Sequence, residues 1–320
     1  MPYVGYAGLD GEPIDFFFDT FLFIALRTPN HRNFHRYYDW VRDSQPGKMK
    51  DWQWALDRLF LPNQQLEALD AAAAETGRKL GKPDYRVKVI VMMPFPEAKL
   101  AQFGDVNGDG VEESLDTLEN RNLAVKWYID SFLQRFEQRN YKHLEIIGFY
   151  WAQEDVDPGV PGEVENIRFT SEYLHQKQLK LGWIPWWGAI HKGEGKRFFF
   201  DFTIMQPNHY YHEQSTEDRI RECAELAYRM NQGMEIEMDA KVVTSKGYRQ
   251  AFYRYLHGGR KYGYMQHSLL AFYQDVQALY ELYTQHGALG RRFYDDIYLF
   301  IKNKYGSTIP FHRRRKHVLK

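Results

Sequence analysis

At 320 residues, 44% of them hydrophobic, the chain can bury one large core, and an α/β barrel fills this length as a single domain. Lys+Arg and Asp+Glu number 42 each, so the net charge is zero and no global field holds DNA, RNA or an anionic membrane. The single cysteine, Cys223, excludes an internal disulfide, and its helical setting marks it as a buried small hydrophobe.

The first residues show no basic stretch followed by an apolar run, so no signal peptide is visible. The longest apolar stretch, residues 16–26, contains Asp19 and is too short to span a bilayer. In chain order, short apolar runs suited to buried parallel strands occur at residues 3–7, 18–26, 86–93, 144–151, 179–186, 200–206, 234–238 and 262–272. Helical periodicity occupies residues 51–60 and 64–80 after the second run, 118–139 after the third, 164–178 after the fourth, 216–231 after the sixth and 245–257 after the seventh. Residues 275–286 and 291–304 complete the pattern after the eighth. The predicted fold is an α/β, (β/α)8 TIM barrel over residues 1–311. Its connections at 8–17 and 189–199 are too short for a full crossover helix, so irregular links are expected there. Residues 312–320 read as a basic, flexible tail.

A barrel of this kind carries its chemistry at the C-terminal ends of its strands. The seventh run alternates Glu235, Glu237 and Asp239 with Ile236 and Met238, so the three carboxylates share one face. Against the helices they would be desolvated at large cost, whereas at the barrel mouth they line a polar cleft; an edge strand with one wet face is the other reading. The fourth run ends in Glu154. Hydrolysis of a glycosidic bond needs two carboxyl groups, one donating a proton and one attacking or activating water. Glu154 is therefore the candidate acid/base, its pKa raised by aromatics such as Trp151, and Glu237 the candidate nucleophile or base, with Glu235 and Asp239 as alternates; a surface role for Glu154, capping whatever follows Asp155, is the other reading.

Aromatics are abundant, with 23 Tyr, 22 Phe and 8 Trp. A flat apolar face beside a polar rim suits a pyranose ring, although extra packing aromatics explain the same count. Tyr150, Trp151, Trp186, Trp187 and Tyr210 at strand ends are candidate platforms, and Gln153, Gln206, Asn208 and Gln266 are candidate partners for hydroxyls.

Asp105, Asn107, Asp109, Val111, Glu113 and Asp116 have the spacing of an EF-hand-type calcium loop, with Gly110 at the sharp turn and Asp116 where such loops carry Glu. A structural Ca2+ pinning the barrel rim is expected; an Asx-rich turn capping the following helix is the alternative. No organic cofactor is implied. His209 and His212 are spaced as metal ligands but have no local third partner.

The segments 149–154, 183–187, 205–208 and 234–237, together with 18–23 and 103–116, resemble a family of bacterial domains of unknown function. That resemblance implies a glycoside-hydrolase-like TIM barrel, often secreted or periplasmic and associated with polysaccharide use. The placement of Glu154 and Glu237 is also similar to the retaining glycosidases with catalytic Glu after strands four and seven, from whose Asn-Glu pair this chain departs with Gln153 and Glu154. The expected function is hydrolysis of an oligo- or polysaccharide. A non-catalytic carbohydrate-binding barrel and a barrel hydrolase of a non-sugar substrate are the alternatives.

Overall fold

A computed structural model describes residues 2–36, 45–212 and 214–306. The chain opens on a hairpin, β1 (Gly5–Ala7) pairing antiparallel with β2 (Pro13–Phe16). The predicted first barrel strand is thereby corrected. Residues 8–12 are all that separate the two strands, and a parallel crossover takes a dozen or more. The Gly8 amide bonds the Glu12 carbonyl at 2.7 Å and Gly11 turns with φ 84°.

The barrel sheet begins at β3 (Thr20–Phe23). A short parallel pair, β4 (Arg32–Asn33) and β5 (Gln45–Pro46), leads to α1 (Met49–Leu59) and α2 (Gln65–Lys79). Then β6 (Val87–Met93), α3 (Leu118–Arg139), β7 (Leu144–Trp151), α4 (Glu163–Gln176) and β8 (Lys180–Trp183) alternate. One 3-10 turn, Gly195–Phe198, replaces a crossover helix, as the short 189–199 link requires, before β9 (Phe202–Met205). The chain continues through α5 (Glu217–Met230), β10 (Gly233–Glu237), α6 (Lys241–Thr244), α7 (Lys246–Tyr262) and α8 (Tyr264–His267). It ends on β11 (Leu270–Tyr273), α9 (Ala278–Thr284) and α10 (Gly287–Ile301). The predicted eighth strand, 262–272, is therefore part helix and part strand: residues 264–267 form α8, and the strand starts only at Leu270. Gly263, with φ 84°, ends α7 and starts the single turn of α8.

The sheet runs β11-β10-β9-β8-β7-β6-β3, and every ladder in it is parallel. The fold is a TIM-type α/β barrel with seven hydrogen-bonded strands instead of the eight expected. Among the described residues β3 and β11 share no ladder, yet both line one cavity, so the sheet curls round it and leaves a seam. Side chains cover that seam, with Phe18 meeting Phe272 edge-on at 5.5 Å. The hairpin then packs on α10, where Tyr6 stacks on Tyr298 with ring centroids 3.6 Å apart. Central strands are buried on both faces, as β10 is throughout. Cys223 lies buried, its thiol pushed up to about 12 by burial. Among the described residues, no helix is long and apolar enough to cross a membrane. The basic run at 312–320 lies outside the described residues.

Candidate active site

Period-two alternation carries Tyr150, Ala152 and Glu154 of β7 and the residues after it into a cavity of about 1470 Å³, and Glu235, Glu237 and Asp239 along β10 do the same. The predicted grouping of the carboxylates on one inward face is what the structure shows. Counted along the hydrogen-bonded sheet, Glu154 follows the third strand and Glu237 the sixth, not the fourth and seventh. The three-strand span between them is unchanged.

The two glutamates have unlike surroundings. Glu237, 1% exposed, accepts the Tyr255 hydroxyl and the Tyr210 amide (3.2 Å) on Oε2, and the Asn208 amide (3.5 Å) on Oε1. Burial leaves its pKa raised, an effect that the Tyr255 hydroxyl and the Tyr210 amide offset in part by stabilising the carboxylate. Asn208 is itself fixed, its Oδ1 accepting from the Trp187 amide at 2.9 Å. Glu154 sits just beyond the end of β7, and burial first, then the charge of Glu237, raise its pKa to about 7. The cause is not Trp151, which points the other way, 1% exposed and edge-on to Phe95. Glu235, two residues deeper than Glu237, is 6% exposed, and burial together with both other glutamates holds its pKa well above the carboxylate range. Asp239 accepts the Tyr210 hydroxyl and the Lys241 amide, each at 2.8 Å.

Of the candidate binding residues, Tyr150, Gln153, Trp186, Gln206 and Asn208 line the cavity near the pair. Trp186 is 40% exposed, and a Cβ at Gly188 would meet its ring at 2.1 Å, so only glycine permits the ring to lie there. Three others are corrected. Trp151 belongs to the core, Trp187 is capped by the Arg219 guanidinium 4.2 Å from its ring, and Tyr210 is buried with its hydroxyl on Asp239. Gln266 reaches the cavity, but from α8 at the N-terminal end of β11, away from the carboxylates, because the strand starts later than predicted. Sequence reasoning missed Tyr255, His35, Phe202 and Tyr273; the last three line the cavity and Tyr255 supports it from behind. His209 is buried, its Nδ1 2.7 Å from the Ser215 hydroxyl, and burial lowers its pKa to about 4.

The 105–116 loop is closed by its own amides. Asp105 accepts from Gly108 (2.6 Å), Asp109 (3.1 Å) and Gly110 (2.9 Å), Asn107 from Asp109 (2.9 Å), Asp109 from Val111 (2.8 Å), and Glu113 from Val106 (2.6 Å). Among the described residues, no three His, Cys, Asp or Glu side chains are gathered at metal-binding distance. The Asp116 amide faces the Ser114 hydroxyl at 3.4 Å.

Three solved structures are similar at low identity. A pair of fungal β-1,4-galactanases is represented by a chain at 9% identity and TM-score 0.41, with 81% of this chain and 80% of that one covered. A putative α-L-fucosidase from Bacteroides thetaiotaomicron matches at 12% and 0.44, covering 89% and 84%. The PgaB (BpsB) glycoside hydrolase domain from Bordetella bronchiseptica matches at 11% and 0.39, covering 82% and 97%. No curated protein sequence matches the chain. A family model does match, over residues 1–299, and the chain belongs to that family, described as a domain of unknown function, DUF4855.

Proposed function

We propose that this protein is a glycoside hydrolase in which Glu154 is the general acid and Glu237 the nucleophile or base. The observation that carries the reading is the unequal treatment of two carboxyls in one cavity. Burial raises both, but Glu237 receives hydrogen-bond donors that favour its ionised form and offset part of that rise, whereas burial and the neighbouring charge take Glu154 to about 7. Pairs of carboxyls whose surroundings push their pKa values apart divide into acid and base in glycosidases. Glu154 then protonates the departing oxygen while Glu237 attacks the anomeric carbon or draws a proton from water. Trp186 offers a ring face on which a pyranose stacks, and Asn208, held by the Trp187 amide, faces both the base and a sugar hydroxyl.

Purified protein screened against a glycan library tests this. Glu154→Gln and Glu237→Gln are each expected to lower turnover by about two orders of magnitude or more, the scale of losing general acid–base catalysis, while glycan binding persists. Undiminished turnover in either variant removes that residue from the mechanism.

The oxygen-rich 105–116 loop is proposed to take a structural Ca2+. The support is its ligand spacing and its donor chemistry, all oxygens, suited to a hard cation. Secretion or location in the periplasm is proposed alongside it, on the resemblance described above.

A further inference from the structure

The donors on Glu237 all lead back to one stretch of backbone after β9. Asn208 gives its side-chain amide and Tyr210 its main-chain amide, while the His209 amide donates at 3.1 Å to the Tyr255 hydroxyl, which itself donates to Glu237. The peptide between Asn208 and His209 is held at both ends. Its N–H is on Tyr255, and its carbonyl accepts from Arg219 Nη1 at 2.8 Å.

Arg219 stands in the first turn of α5, half-buried behind the cavity wall. Two residues on, Arg221 pairs with Asp218 and Glu225 along its own helix, as surface arginines do. Arg219 instead turns its guanidinium to a carbonyl and to the Trp187 ring, 4.2 Å from its centre. The Trp187 amide donates to Asn208 Oδ1 at 2.9 Å, so Arg219 braces Asn208 from both ends. There is a backbone to brace: Asn208 is left-handed, with φ 47°, a conformation that Asn tolerates but that neighbours must fix. The bonds run in one direction, from guanidinium to carbonyl, from amide to hydroxyl, from hydroxyl to carboxylate. A charge at the head of such a chain polarises every bond along it, and a protein interior screens it little.

We propose that Arg219 is a positioning residue for Glu237, fixing the 208–210 backbone and passing its positive charge along this relay to the carboxylate; its catalytic meaning rests on the reading of Glu237 as the base. The other titratable groups that act on Glu237 are Glu154 after β7, Glu235 on its own strand, and His212, Tyr211 and Tyr273 around the mouth, and all are kept in every variant of the test.

Titration of Glu237 by carbon-13 NMR of the glutamate carboxyls tests this without any substrate, the Glu237 resonance being the one lost in Glu237→Gln. Arg219→Met keeps the apolar stem but removes charge and donor, and is expected to raise the Glu237 midpoint by about one pH unit, the worth of one net hydrogen bond. Arg221→Met, on the same helix, should leave the midpoint in place. With Tyr255→Phe the relay is already cut, so the double variant should shift by less than the sum of the two single shifts. Should Arg219→Met fail to fold, Arg219→Gln, a neutral donor to the same carbonyl, is expected to move the midpoint the same way by a smaller amount. An unmoved midpoint in the folded Arg219 variant, an equal shift in Arg221→Met, or strict additivity with Tyr255→Phe overturns the proposal. The hydrolysis screen stands apart: a shifted midpoint in a protein that cleaves no glycan leaves the relay standing and sinks the glycosidase reading, whereas cleavage with a midpoint that stays put does the reverse.

Discussion

Tyr255 reaches Glu237 from α7, a helix that places no side chain on the cavity wall. Its hydroxyl stabilises the ionised carboxylate, so Tyr255→Phe should raise the pKa of Glu237. A base must be ionised to work, and the rising limb of kcat/KM against pH therefore shifts upward. A hydrogen bond to a charged group is worth about 1.5–3 kcal/mol, which corresponds to roughly one to two pH units. The falling limb, governed by loss of the Glu154 proton near pH 7, should stay in place. A profile that moves on both limbs equally, or on neither, argues against Tyr255 tuning the base. Residues of this type are invisible in sequence because the contact joins elements with no shared periodicity. Glu235, Glu237 and Asp239 were legible for the opposite reason: alternation within one strand fixes a common face. The same rule applied to β7 puts Trp151 opposite Tyr150 and Ala152, and so assigns it to the core.

At the level of elements, α3 is the best-read segment, starting after Thr117, whose hydroxyl accepts from the Asn120 amide at 3.2 Å, and ending at Asn140 in the left-handed conformation. Its boundaries follow from capping chemistry written in the sequence. The run before β11 misled because Tyr262, Tyr264 and Met265 suit a strand as well as a helix, and only the backbone at Gly263 decides. The loop before α3 is where an element-level experiment is clearest. Asp105 accepts three amides of that loop, so Asp105→Ala destabilises it with or without a metal. The ion is tested by the response to it. Saturating Ca2+ should stabilise the wild-type protein, by about 2.7 kcal/mol at a hundredfold excess over Kd, and leave the Asp105→Ala melt unmoved. A wild-type Tm indifferent to calcium and to chelator leaves the loop as a metal-free helix cap.

For the whole molecule, the consequential feature is the seam between β3 and β11, which the short 8–17 link foreshadowed and the count of eight apolar runs concealed. A strand count measures hydrophobic segments, not ladders, and the first run is spent on a hairpin. That hairpin ties the two ends of the chain together. The Tyr6 hydroxyl donates to Asp295 at 2.6 Å and receives Arg291 at 3.0 Å, the Ala7 amide donates to the Tyr294 hydroxyl at 2.9 Å, and the Tyr298 hydroxyl donates to Asp15 at 2.7 Å. Closure of the barrel therefore depends on side chains where other strands use hydrogen bonds, and such regions open at lower free energy than the core of a sheet. Hydrogen exchange should show amides of β3 and β11 exchanging well before those of β7 and β8, whose ladders are flanked on both sides. Tyr6→Ala removes a ring that is 1% exposed, at a cost of about 3–5 kcal/mol by analogy with other buried aromatics, and should widen that difference by loosening the edges first. If all seven strands exchange together in the wild-type protein, and Tyr6→Ala lowers their protection uniformly, the clasp is no more than ordinary core and the sheet behaves as a closed barrel.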